Sequence, residues 1–156
     1  MLIFMKILID GDSCKRKETI LEIAQKRNIP VHIYCDVNHY TEEEYADVHV
    51  VDQSANSADL AIANHTDKND IVITNDVGLA SMVLAKKGLP LNNYGVIFTK
   101  NNIDSYMAHR HLVKTKHQTP KHMSIHKNHR HFSEKPEHRP SFKQSLNYLI
   151  RKTQHK

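Results

Sequence analysis

Leu2-Ile3-Phe4-Met5-Lys6-Ile7-Leu8-Ile9, followed at once by Asp10-Gly11-Asp12, is the stretch that decides the fold class of this chain. The run is apolar apart from Lys6, and its length suits a strand buried on both faces of a parallel sheet. Residues 14–28 then place Ile20, Ile23 and Ala24 at helical spacing, with Asp12 or Ser13 as the expected cap and Asn28-Ile29-Pro30 as the stop. Residues 31–34 read as a second strand. A β-α-β opening of this kind implies parallel strands joined by a right-handed crossover.

The same alternation continues outward. Residues 36–46 are polar, with the acidic run Glu42-Glu43-Glu44, and lead to Val48, Val50 and Val51 in a short third strand. After a turn through residues 53–56, residues 57–64 read as a short helix capped by Ser57 and carrying Ala58, Leu60, Ala61 and Ile62. Ile71-Val72-Ile73-Thr74 is the plainest strand in the chain, and residues 77–87 form a helix that Gly88 is expected to stop. Helix and strand in alternation define an α/β fold with a mostly parallel central sheet.

Beyond Pro90 the period weakens, with a short strand expected at Val96-Ile97-Phe98 and a helix over residues 103–112. Residues 113–140 have no apolar period and are rich in Lys, Arg and His, with Pro120, Pro136 and Pro140. Such a composition buries too little surface to offset chain entropy, so mobility is expected there. Residues 142–150 put Phe142, Leu146, Leu149 and Ile150 on one helical face, which should dock on the core. The expected organisation is an α/β domain over 1–112, a flexible basic histidine-rich segment over 113–140, and a terminal helix and tail over 141–156.

With 156 residues, 39% of them apolar, the chain has the size and composition of one compact core. No stretch approaches the roughly 20 apolar residues that cross a bilayer. The opening residues have neither a basic region before them nor a small-residue cleavage site after them, so they read as the lead-in to a strand. Cys14 and Cys35 show no Cys-x-x-Cys spacing, which argues against a zinc knuckle or a disulfide framework and fits a reducing cytoplasm. The net charge of +5 divides unevenly: residues 1–99 hold 9 Lys/Arg and 14 Asp/Glu, a net of −5, and residues 100–156 hold 13 and 3, a net of +10. Positive charge at that density suits a polyanion such as RNA.

The acidic half needs another account. In an open parallel sheet, ligands gather outside the carboxyl ends of the strands. Asp10 and Asp12 follow the first strand, Asp76 follows the strand at 71–74, and Asp59 lies in the first turn of the helix after the third strand. Taken singly, Asp12, Asp59 and Asp76 are each explained as a cap or first-turn charge. Asp10 is the least explained in this way, because Asp12 or Ser13 is better placed to cap. Together the four would repel one another and share protons unless a cation neutralised them. Oxygen ligands, with no His or Cys built into the same strand ends, favour Mg²⁺ or Mn²⁺ over Zn²⁺.

Lys6-Ile7-Leu8-Ile9-Asp10-Gly11-Asp12-Ser13-Cys14 resembles the opening of the YaiI/YqxD family, whose usual form is a hydrophobic strand followed by Asp-Ala-Asp-Ala-Cys-Pro. Asn56-Ser57-Ala58-Asp59 is similar to the family's segment ending in Ala-Asp, and Ile71-Val72-Ile73-Thr74-Asn75-Asp76-Val77-Gly78-Leu79-Ala80 to its Val-Ile-Thr-x-Asp-x-Pro-Leu-Ala. The three motifs occur in order and at matching spacing between about residues 5 and 111. The resemblance implies a PIN-like three-layer fold, a class in which acids at strand ends bind Mg²⁺ or Mn²⁺ and hydrolyse RNA. It implies Asp10, Asp59 and Asp76 as metal ligands, with Asp12 beside them in the catalytic set. The chain departs from the family pattern where Lys15 and Gly78 replace prolines, and where Asn92-Asn93-Tyr94-Gly95 stands for Asn-Pro-Arg-Gly.

Two other features carry less. Cys14 at a helix start beside Lys15, Arg16 and Lys17 is in a setting that lowers a thiol pKa, but no base is placed for it, and a small residue closing the strand-helix turn explains it better. Eight of the 13 histidines lie between His109 and His138. His126-x-x-His129-x-His131 lacks a Cys partner, so this tract reads as a solvated basic segment that holds transition metals adventitiously and a polyanion electrostatically. Phe132 is the one aromatic side chain there to stack a base. The sequence therefore points to a metal-dependent phosphodiesterase acting on RNA or single-stranded nucleic acid. The alternative is a non-catalytic nucleic-acid or ribosome-associated binding protein with a degenerate acidic site.

Overall fold

A computed structural model describes residues 5–54, 57–116 and 140–154. The expectations for residues 117–139, the bulk of the histidine-rich segment, lie outside these. The elements are β1 (Ile7–Asp10), α1 (Lys17–Lys26), β2 (Val31–Cys35), β3 (Asp47–Val50), α2 (Ser57–His65), β4 (Ile71–Ile73), α3 (Val77–Ala85), β5 (Leu89–Leu91), α4 (Ile103–Lys116) and α5 (Phe142–Gln154). All four strand pairings are parallel, in the order β3-β2-β1-β4-β5. The order reverses at β1. The loops that leave β1 and β4 therefore diverge and open a crevice at the carboxyl ends of the strands.

The pleat sorts the core into two layers of packing. Ile7 and Ile9 of β1 join Ile33, Ile71, Ile73 and Leu91 against Ile20 and Ile23 of α1 and Leu146, Leu149 and Ile150 of α5. Leu8, Tyr34 and Val72 point the other way, toward Ile62 of α2 and Leu79 and Val83 of α3. Helices thus cover both faces of the sheet, and α4 packs outside α3 through Ile103 against Ala80. The terminal helix is as firmly built in as the expected amphipathic pattern requires: Leu146 and Ile150 are fully buried, and the Ser145 hydroxyl donates to the Gly95 carbonyl at 2.6 Å.

Several boundaries differ from those read in sequence. Neither Asp12 nor Ser13 caps α1, whose N-cap position is Arg16 with no side-chain cap. Asp12 instead accepts from the Asp36 N–H at 3.2 Å, tying the β1 exit to the β2 exit. The fifth strand is Leu89–Leu91, with only a single antiparallel bridge from Leu91 to Ile97 where residues 96–98 were expected to form one. Pro90 is tolerated because β5 is the edge strand and a prolyl nitrogen has no N–H to offer a neighbour. At the end of α3 the left-handed residue is Lys87 (φ 64°), not Gly88. Gly88 is there for space, since a Cβ on it would lie 2.7 Å from Val83 Cγ1. Helix α4 continues past residue 112 to Lys116.

Candidate metal centre

The alternation that sends Ile9 toward α1 sends Asp10 toward α2, whose first turn carries Asp59. Asp10 is 9% exposed, and its Oδ2 accepts from Thr74 Oγ1, at the end of β4, at 3.2 Å. That bond spans β1 and β4, the two strands at the reversal point. Burial pushes the Asp10 carboxyl up, the negative charges of Asp59 and Asp12 push the same way, and the Thr74 hydroxyl opposes them. Asp59, half-buried, is also raised: first by burial, then by the charge of Asp76, with Arg110 acting in the other direction.

Gly11 holds the turn between the first two acids close to β2. Its N–H donates to the Tyr34 carbonyl at 2.7 Å, and a Cβ there would lie 2.8 Å from Tyr34 O and 2.9 Å from Ile33 Cγ2. Asp12 is thereby brought to the loop that follows β2. A 3₁₀ turn, Val37–His39, begins there, capped by Asp36, whose Oδ1 accepts from the N–H groups of Asn38 and His39. The His39 ring returns over this cap, with Nδ1 2.8 Å from Asp36 Oδ1 and 3.4 Å from Asp12 Oδ1. The imidazole hydrogen bond holds Asp36 below the usual carboxylate range, and the same bond raises His39.

A cavity of about 170 Å³ opens at this end of the sheet, and Asp10, Asp12, Asp36, Asp52 and Asp59 all line it. Of the four acids singled out in sequence, three therefore meet in one cavity. Asp76 lies outside its lining. It caps α3, accepting from the N–H groups of Gly78 at 2.7 Å and Leu79 at 3.2 Å, and it pairs with Arg110 at 3.5 Å. Among the described residues, the ligand atoms of Asp12, Asp36 and His39 are the trio that lies within 4.8 Å of one another; Asp10, Asp59 and Asp76 do not draw that close. His39 comes from the loop after β2, a strand end to which the sequence reading assigned no ligand. Asp36 and Asp52 were missed in sequence although they follow β2 and β3 as Asp12 follows β1.

Five carboxylates, from three strand ends and the first turn of α2, line this polar cavity and are the oxygen donors that could hold a hard divalent cation. His39 sets an imidazole beside two of these acids, with Nδ1 engaged by Asp36. Cys14 adds nothing to this set. It precedes α1 by three residues, packs against the core, and burial pushes its thiol up rather than down.

Fold and site together define a doubly wound α/β domain with an acidic cavity at the carboxyl ends of its strands. The family described as "Uncharacterized BCR, YaiI/YqxD family" matches residues 8–152, and the chain belongs to it. Among its curated relatives it is similar to a UPF0178 protein of Clostridium perfringens, 43% identical over 108 residues that cover 69% of this chain and 72% of the relative. It is also similar to UPF0178 proteins of Natranaerobius thermophilus, 44% identical over 69% of this chain and 74% of that one, and of Alkaliphilus oremlandii, 41% identical over 73% and 76%. No solved structure matches the chain. Among the described residues no helix is long and apolar enough to cross a membrane.

Proposed function

We propose that this protein is a PIN-like, metal-dependent phosphodiesterase that hydrolyses RNA or another single-stranded nucleic acid in the cytoplasm. The observation that carries this reading is the acidic cavity itself. Carboxylates gathered at a strand-order reversal, with Asp10 and Asp59 raised by burial and by like charge, are relieved by a proton or by a cation. Asp10, Asp59 and Asp76 are the ligands in this reading, Asp12 completes the set, and Asp36 and His39 extend it. Mg²⁺ or Mn²⁺ held there would neutralise charge developing on the phosphate and make water a stronger nucleophile.

The chain's own groups do the rest. Thr74 fixes the orientation of Asp10 by donating to Oδ2. His39 balances the Asp12–Asp36 pair when it is protonated, and yields that position to a cation when it is not. Arg110, beside Asp76 and about one-third exposed, is within the field of the acids and is the cation best placed to meet a phosphate. The basic region from Lys100 onward would hold the polyanion.

The second reading, a non-catalytic nucleic-acid or ribosome-associated binding protein, is favoured by one observation. Asp76 already has full structural employment, as the α3 cap and as the partner of Arg110. End-labelled single-stranded RNA incubated with the protein and Mn²⁺ separates the two readings. Cleavage in wild type that is lost with chelator and in Asp10→Asn is the expected result. Retention of the RNA without cleavage at any divalent cation would move the protein to the second reading.

A further inference from the structure

We propose that the domain carries a second, separate binding site, for a phosphate-bearing organic anion of about nucleotide size, in a lysine-lined groove at the amino ends of β4 and β5. The groove has a volume of about 390 Å³, more than twice that of the acidic cavity at about 170 Å³. Lys68 comes to it from the turn before β4, Lys87 from the turn after α3, Lys100 from the turn before α4, and Lys152 from α5. Four segments distant in sequence thus each contribute a lysine to the lining of one groove, with Leu84 and Leu89 forming an apolar part of the wall.

Among the described residues none of the four lysines forms an ion pair. The acids at the same end of the sheet, Asp67 and Asp70, are both taken by Lys6, at 2.9 and 2.6 Å. Like charges gathered in this way repel, and an anion placed among them removes the repulsion and adds attraction. The rim is fixed rather than loose: Asn69 (φ 70°) and Lys87 (φ 64°) are both in the left-handed region, and the Asn69 N–H donates to the Lys87 carbonyl at 3.0 Å.

The ligand class follows from the wall. Lysines act as point charges toward phosphate, and four of them suit more than one phosphate group. Leucine surface beside them suits an apolar or planar organic part. A volume near 390 Å³ lies in the range of small-molecule sites, which favours a single nucleotide over a polymer track. The site is also distinct from the acidic cavity. That cavity lies where the parallel strands end, and the groove where β4 and β5 begin, so the length of the sheet, about 10 Å for three- to four-residue strands, separates the two.

Isothermal titration of the full chain with ADP at low ionic strength tests this, with adenosine, single-stranded RNA and two charge-matched double variants as comparisons. ADP is expected to bind one per chain, adenosine to give no detectable heat, Lys68→Gln/Lys100→Gln to weaken ADP binding about tenfold, and Lys17→Gln/Lys26→Gln to leave it within about twofold. The single variant Lys152→Gln, on an exposed position of α5, should weaken binding in the same sense and covers the case of a misfolded double variant. Three results would each overturn the proposal: no binding of ADP, equal binding of adenosine, or equal losses in the two double variants. Binding of RNA through Lys68 and Lys100 in the absence of ADP binding would overturn it as well. RNA hydrolysis is read in a separate assay, so this site and the acidic one can fail independently.

Discussion

Replacing Asp76 separates what its carboxylate does for the fold from the ligand role proposed for it. Asp76→Ala removes an N-cap that satisfies the N–H groups of both Gly78 and Leu79, a loss of about 1 kcal/mol. It also removes the ion pair with Arg110, which at 3.5 Å and with both side chains about one-third exposed contributes about 0.5 kcal/mol. The sum, about 1.5 kcal/mol, corresponds to a fall in melting temperature of about 3–6 °C for a chain of this length. Asp76→Asn keeps the accepting Oδ1, and asparagine caps as well as aspartate, so it should lose no more than about 0.5 kcal/mol. Circular dichroism melts with and without Mn²⁺ read both effects. The two variants should differ in the absence of metal, and on the proposed function Mn²⁺ should stabilise the wild type and neither variant. Equal destabilisation of the two variants would refute the capping argument, and a full Mn²⁺ shift in Asp76→Asn would remove Asp76 from the ligand set.

Asp10 and Asp59 hold their protons to higher pH in the folded chain than in the unfolded chain, where such groups ionise near 3.8. Their contribution to stability is therefore greatest below that value and falls as pH rises from it through the raised folded values. Urea midpoints measured across this window should fall less in Asp10→Asn than in wild type, and parallel curves would show that Asp10 is not the group responsible. Leu146→Ala in α5 removes a fully buried side chain from the core shared with β1, β4 and β5, and should cost about 2–5 kcal/mol. A loss below about 1 kcal/mol in urea denaturation would show that α5 is not integral to the domain.

The fold was legible where local pattern and tertiary environment agree. The strand at Ile7–Asp10 is apolar because helices cover both its faces, and the same holds for Ile71–Ile73. Strand β5 was hidden because Gly88 and Pro90 break any local signal, and its place is set by pairing with β4, a contact that sequence pattern does not carry. The site was legible in part for the same reason. Asp10, Asp12 and Asp59 stand out at strand and helix ends, whereas Asp36 opens a polar stretch that reads as an ordinary loop, and His39 joins the acids only because a 3₁₀ turn folds its ring back over its own cap. Least legible was the lysine groove. Lys68, Lys87, Lys100 and Lys152 belong to four segments with no common spacing, and only the packing of α5 beside β5 completes the set.

Gly11 acts as a gauge for the distance between β1 and β2. With no side chain, it lets the two strands close to a separation at which a methyl group would sit 2.8 Å from a carbonyl oxygen and 3.2 Å from Cys35 Cβ, closer to the oxygen than packed carbon atoms tolerate. An alanine at position 11 would carry that methyl, and the strands would have to move apart between the very residues that flank it. A misplacement of about 1 Å at a reacting centre costs about a hundredfold in rate. The absence of a side chain at position 11 thus bears directly on where Asp10 and Asp12, the two acids on either side of it, can stand.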